Sequence, residues 1–211
     1  MTTQLLLQIN NRQPFAKGKA FGDTGSYECI SGTVSFSISP EDQDNTSIVD
    51  LNLVQTNPKG FVKFSTDFYI LKPLHLSLGN GTLIYDVNNR GNKRLLQFMN
   101  DAPHSNKPIS SRHAGNGFLM QRGYSIIWSG WQGDLKPGDN RLTMDLPVPT
   151  IGNQDVTGMV RSEFVVDQQG IFSLPLSGNS YTKSYRAIST DTSKASLTYR
   201  EYEHEKRIPI S

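Results

Sequence analysis

Between Tyr27 and Ser39, the apolar residues Val34, Phe36 and Ile38 alternate with Ser35, Ser37 and Ser39. A period of two marks a strand with one buried and one wet face. The pattern returns more clearly from Phe61 to Leu71, where Val62, Phe64, Phe68 and Ile70 share one face, interrupted by Thr66, and Lys63, Ser65 and Asp67 take the other. Asn57, Pro58, Lys59 and Gly60 supply turn chemistry before that strand, and Lys72 with Pro73 ends it. Gln4 to Ile9 and Ser47 to Val54 read as shorter strands, Asn10 to Ser26 as a loop, and Pro40 to Thr46 as an acidic turn. Nothing before residue 76 is helical in period, so residues 1–75 are expected to form an antiparallel, β-rich lobe.

The pattern changes after Leu78. Leu83, Ile84, Tyr85 and Val87 form a run too continuously apolar for an edge and are predicted to be a parallel strand covered on both faces. Leu95, Leu96 and Met99 then make a narrow helical stripe between Asn92 and Asn100, with Lys93, Arg94 and Gln97 outside it. A long loop from Asp101 to Gly117 carries His104 and His113, a helical turn is expected at Gly117 to Gln121, and Tyr124 to Trp128 reads as a short buried strand. Residues 76–135 thus form a strand-helix-strand unit. If its two strands are parallel neighbours, the turns Asn88 to Gly91 and Ser129 to Gly133 leave their carboxyl ends, where open α/β sheets place ligands.

Residues 136–211 read as a β-rich extension: Leu142, Met144 and Leu146 alternate, Val160, Phe164 and Val166 share a face within Val156 to Val166, and Lys194 to Glu201 closes the series before a charged end. The fold class expected is α/β, rich in β, with the three parts making one compact domain. A chain of 211 residues buries roughly 70% of its extended surface at this size. Its 18 Gly and 11 Pro agree with many short elements.

Charge narrows the partners. With 21 basic and 19 acidic residues spread along the chain, the formal charge is +2, which lacks the basic footprint of a nucleic-acid binder. Nucleic acid is therefore not expected as a partner. The amino terminus has no positive region and only a three-leucine run, and no stretch approaches the roughly 20 apolar residues of a membrane helix. The expectation is a cytoplasmic protein without a membrane partner.

Catalytic patterns are mostly absent. No serine has glycine at both −2 and +2, Ser125 and Ser129 included, so the nucleophile elbow of an α/β-hydrolase is missing. The lone Cys29, within an apolar strand, reads as core and excludes an internal disulfide and cysteine-based metal patterns. His75, His104, His113 and His204 show no metal-ligand spacing and read as solvated loop histidines; no metal or cofactor is expected. Gly79 and Gly81, like Gly115 and Gly117, lack the third glycine and lysine of phosphate loops and read as turns. What remains is the turn after the first central strand. Asn89, Arg90 and Gly91 suit an oxyanion loop, Gly91 by permitting an unusual backbone angle and Arg90 by its capacity to hold an anion or carbonyl. The alternative is that Arg90 pairs with Asp86 or Asp134 while Gly91 only starts the helix.

These residues also carry a resemblance. FGDTGSYECISGTV at 21–34, ILKP at 70–73, GNGTLIYDVNNRG at 79–91, GNGFLMQRGYSIIWSGWQGD at 115–134 and IGNQDVTGMVRSEF at 151–164 together resemble the amino-terminal part of a poorly characterised bacterial family of large α/β-hydrolase-domain proteins. The resemblance implies the opening of a hydrolase-type mixed sheet, with extra antiparallel strands before and after the strand-helix-strand unit, and ester or related acyl chemistry. In that family the nucleophile, acid and histidine lie further along than residue 211, so only the oxyanion-loop role passes to Asn89, Arg90 and Gly91. A catalytically incomplete amino-terminal portion is one expectation, partnered by a downstream hydrolase segment or self-associating through an open sheet edge. A stand-alone, non-catalytic β-rich binding or interaction module is the other.

Overall fold

The protein's structure, a computed structural model, describes residues 4–210. The chain divides into two units: one runs to Val156 and includes Asn179–Lys183, and the other comprises Thr157–Gly178 and the residues from Ser184 onward.

The first unit is built on a mixed six-stranded sheet. Its strands are β1 (Gln4–Pro14), β2 (Tyr27–Ile38), β3 (Val62–Pro73), β4 (Leu83–Tyr85), β5 (Ser125–Ser129) and β6 (Met144–Asp145). The order is β1-β2-β3-β5-β4, with β6 also paired to β3. β1, β2, β3 and β5 pair antiparallel in turn, while β4 and β5 are parallel. Parallel neighbours need a crossover, and residues 86–124 provide it with two single-turn helices, α1 (Leu95–Met99) and α2 (Phe118–Gln121). Asp101, at φ 53, turns the chain just after α1 ends. A two-stranded ribbon of β7 (Thr150–Ile151) and β8 (Gln154–Asp155) completes the unit.

One row of facing residues explains where the core sits. Cys29 pairs with Leu71, Leu71 with Ile126, and Ile126 with Ile84, so four strands present side chains to the same side. Tyr69 and Trp128 repeat the arrangement one step along, with ring centroids 5.9 Å apart. Phe15, Phe21, Leu96, Leu119 and Met120 cover this face, and Trp128 and Met120 are wholly buried. A smaller cluster of Ile38, Leu51 and Val62 packs at the other end of β2 and β3, where Phe36 stacks on Phe64 at 4.9 Å.

Several expectations need correction. The even-numbered face expected to bury β3 is only part of its core: Tyr69 and Leu71, on the opposite face, join the main cluster, so β3 is covered on both sides at residues 68–71. Ser47 to Val54 forms a 3-10 turn at Leu51–Leu53 instead of a strand. The strand at 142–146 contracts to Met144–Asp145. The largest change concerns β4. It lies at the edge of the sheet, and Leu83, Tyr85 and Val87 are exposed. A continuous apolar run signals what a strand can bury, but strand order decides whether a neighbour is there to bury it.

The second unit has a different character. It contains an antiparallel pair, β9 (Leu197–Tyr199) and β10 (Ile208–Ile210), and the carboxylate of Glu163 bound by Arg200 at 2.6 Å and Arg207 at 2.7 Å. The strand expected at Val156 to Val166 does not form among the described residues, and Val160, Phe164 and Val166 are exposed. Alternation is present there without a partner ladder.

Candidate functional site

β4 and β5 leave the sheet side by side, and the two turns that follow are stitched together at their parallel carboxyl ends. Asn88, only 2% exposed, is the centre of the stitching. Its side-chain amide donates to the Ser129 carbonyl at 2.5 Å, its side-chain oxygen accepts from the Gly91 amide at 2.9 Å, and its main-chain carbonyl accepts from the Trp131 indole at 2.7 Å. On the strands below, the Trp128 indole donates to Asp86 at 2.6 Å and the hydroxyls of Tyr85 and Ser129 meet at 2.7 Å.

The turn has a demanding backbone. Arg90 and Gly91 take φ of 54° and 74°, and the Asn92 amide donates to the Asn89 carbonyl at 3.1 Å across them. Two consecutive residues at positive φ suit a tight primed turn, in which a non-glycine such as Arg90 stores strain. Gly91 is required twice over: a β-carbon there would lie 2.4 Å from the Leu142 carbonyl, besides the cost of its φ. The Gly91 carbonyl accepts from the Leu142 amide at 3.0 Å, tying the turn to the strand region that follows.

The sequence-predicted residues therefore form one turn, in which the donors of Arg90 and Gly91 are already engaged. The Arg90 amide donates to the Gln132 side-chain oxygen at 2.9 Å, and the Gly91 amide is held by Asn88. Arg90 pairs with Asp134 at 2.6 Å, whereas Asp86 goes to Trp128, so the pairing alternative holds for Asp134 and not for Asp86. Gly91 does more than start a helix, since α1 begins only at Leu95. Asn89 is exposed. Asn88 and Gln132 lie in the two turns that the sequence singles out, but their bridging roles have no signature in linear spacing.

The remaining candidates resolve simply. Cys29 is buried and donates weakly to the Pro108 carbonyl; burial pushes its thiol up to about 11, away from nucleophilic thiolate. His113 Nδ1 accepts from the Ile109 amide at 3.1 Å and caps its own 3-10 turn with Ser110, so it is a loop pin and not a solvated histidine. Burial and the neighbouring Arg112 lower its pKa. His75, His104 and His204 are exposed, and no group of three metal-ligating side chains occurs among the described residues. No helix among the described residues is long and apolar enough to cross a membrane.

Lys93 overturns another expectation. Expected on the outer face of a helix, it precedes α1 and is 4% exposed. Its ammonium donates to the carbonyls of Asn106 at 2.7 Å and Asn140 at 2.8 Å and lies 5.2 Å from the centre of the Tyr69 ring. Burial lowers its pKa to about 8, against the opposing pull of Asp67 and Asp139. No protein-family model matches the chain, and neither a curated protein nor a solved structure matches it.

Proposed function

We propose that the chain contributes the oxyanion-loop portion of an α/β-hydrolase-like ester or acyl hydrolase, with the nucleophile supplied by residues outside this sequence. The observation that carries this reading is the Arg90 amide, aimed at an acceptor 2.9 Å away at the carboxyl end of a parallel strand pair. An oxyanion donor needs a distance of about 2.7–3.1 Å from the developing charge. In this reading the Gln132 side-chain oxygen stands in for the oxyanion and must swing aside when substrate enters. The exposed side of β4 fits the same picture. The chain passes inward from β4 to β5, so a further parallel strand on the free side of β4 would create a reversal of strand order, the place where such sheets bind ligands.

The test has two parts. The purified chain is expected to give no turnover of a p-nitrophenyl ester above background; turnover abolished by Arg90→Ala would overturn the assignment of the nucleophile elsewhere. Methylphosphonate, a mimic of the tetrahedral charge, should shift the Asn89 and Arg90 amide resonances, and more so in Gln132→Ala. Unmoved amides in both proteins would remove the oxyanion role.

The alternative of a non-catalytic binding module has one specific observation in its favour, a polar pocket separate from this turn.

A further inference from the structure

A pocket of about 490 Å³ opens beside β3, within the first unit, and none of Asn88, Asn89, Arg90 and Gly91 lines it. Its volume lies within the range of small-molecule sites. Three cationic residues line it, Lys93, Lys107 and Arg141, against the carboxylate of Asp67 in the wall and that of Asp139 beside Asn106 and Arg141. An anion is the ligand that this balance favours.

The individual donors sharpen that statement. Arg141 Nε is closed to solvent and has no hydrogen-bond partner among the described residues, and its guanidinium lies 5.5 Å from the centre of the Tyr181 ring and 3.9 Å from exposed Asp139. A buried guanidinium N–H without an acceptor is costly and rare in folded proteins. Lys93 has three N–H donors, of which two are used on the carbonyls of Asn106 and Asn140, and its ammonium lies 5.2 Å from the centre of the Tyr69 ring. Asp67 Oδ2 is occupied by the amide and hydroxyl of Thr143, at 2.9 and 2.8 Å, which leaves Oδ1 able to accept. The rest of the wall adds neutral hydrogen-bonding groups, including Asn11, Gln13 and Ser31, beside the apolar surfaces of Phe68 and Leu142.

A bare inorganic anion would use the cations and ignore the rest. A neutral sugar would use the amides and leave the positive charge of the wall uncompensated. From this combination we propose that the pocket binds a polyhydroxylated carboxylate of the sugar-acid class, its carboxylate taken by Arg141 and Lys93 and its hydroxyls by Asp67, Ser31 and the neighbouring amide side chains. This proposal does not depend on the hydrolase reading.

Isothermal titration of the full chain with D-glucuronate tests it, with D-glucose, acetate and inorganic phosphate as comparison probes. Glucuronate is expected to bind with at least tenfold higher affinity than each of the other three, and Arg141→Met to weaken it at least tenfold. Equal binding of glucose would overturn the role of the cations, and equal binding of acetate or phosphate would overturn the role of the hydroxyls. Absence of saturation by roughly 20 mM glucuronate would overturn the site itself. Because Arg141→Met could disturb folding, the amide resonances of Asn11 and Ser31 are followed in the unsubstituted protein. They are expected to shift with glucuronate, and their failure to move at saturation would place the ligand elsewhere and overturn the assignment.

Discussion

The turn after β4 and the pocket beside β3 meet at Leu142, whose amide bonds Gly91 and whose side lines the pocket, yet they treat their polar groups in opposite ways. In the turn, Asn88 and Gln132 engage the two amides of Arg90 and Gly91, and Asp134 engages the Arg90 side chain. Beside the pocket, the buried Arg141 Nε has no acceptor among the described residues. A closed network fixes a shape, whereas a buried donor without an acceptor carries the full cost of its desolvation. The contrast separates a turn whose amides must be released before they can act from a pocket wall whose cations are only partly compensated.

Gly91→Val should have the largest effect, because it strikes the link between the two regions. The added side chain would meet the Leu142 carbonyl at a φ that a β-branched residue resists, and a loss of about 4 kcal/mol in urea unfolding is expected. Trp128 and Trp131 both lie in this unit and give the fluorescence signal. Unfolding at the unsubstituted midpoint would mean that the turn and Leu142 are not mechanically joined.

Lys93 gives the next effect, and its sign is unusual. Its folded pKa of about 8 lies below the ordinary 10.5, so between pH 8 and 10.5 the unfolded chain binds the additional proton. Stability from this group therefore rises with pH through that window, by roughly 3 kcal/mol in total at about 1.4 kcal/mol per unit. Cys29, held up at about 11, acts in the opposite direction above pH 9. The difference between the unsubstituted protein and Lys93→Met cancels that contribution, and a pH-independent difference would show that Lys93 is solvated.

Asn88→Ala removes two buried side-chain bonds and should cost about 2 kcal/mol while leaving glucuronate binding within twofold. Loss of that binding would show the two regions to be a single site. Arg90→Ala should have the smallest effect, below about 1 kcal/mol, since its ion pair with Asp134 is partly exposed. A larger loss would make the pair, instead of Asn88, the clasp of the turn.

Much of the framework was legible in the chain. The alternation in β2 and β3 and the turn at Asn88 to Gly91 follow from local patterns, and the parallel pairing of β4 with β5 fulfils the condition on which the turn was singled out. β4 as an exposed edge was not legible, because strand order joins residues far apart in sequence. Nor was the burial of Lys93. A lysine beside a helix reads as solvent-facing unless the carbonyls of Asn106 and Asn140 are known to converge on it.

The two kinds of information divide along a physical line. The sequence by itself determined which segments can extend, where glycine lets the chain turn, and which catalytic patterns are missing from the 211 residues, since these depend on neighbours along the chain. Only the tertiary structure decided which donors are satisfied: Arg90 meets Gln132, Asn88 meets Ser129, and Arg141 Nε meets no acceptor among the described residues. Hydrogen bonding and desolvation act through space over a few ångströms, and the partners that settle them here lie some 40 residues away or are absent.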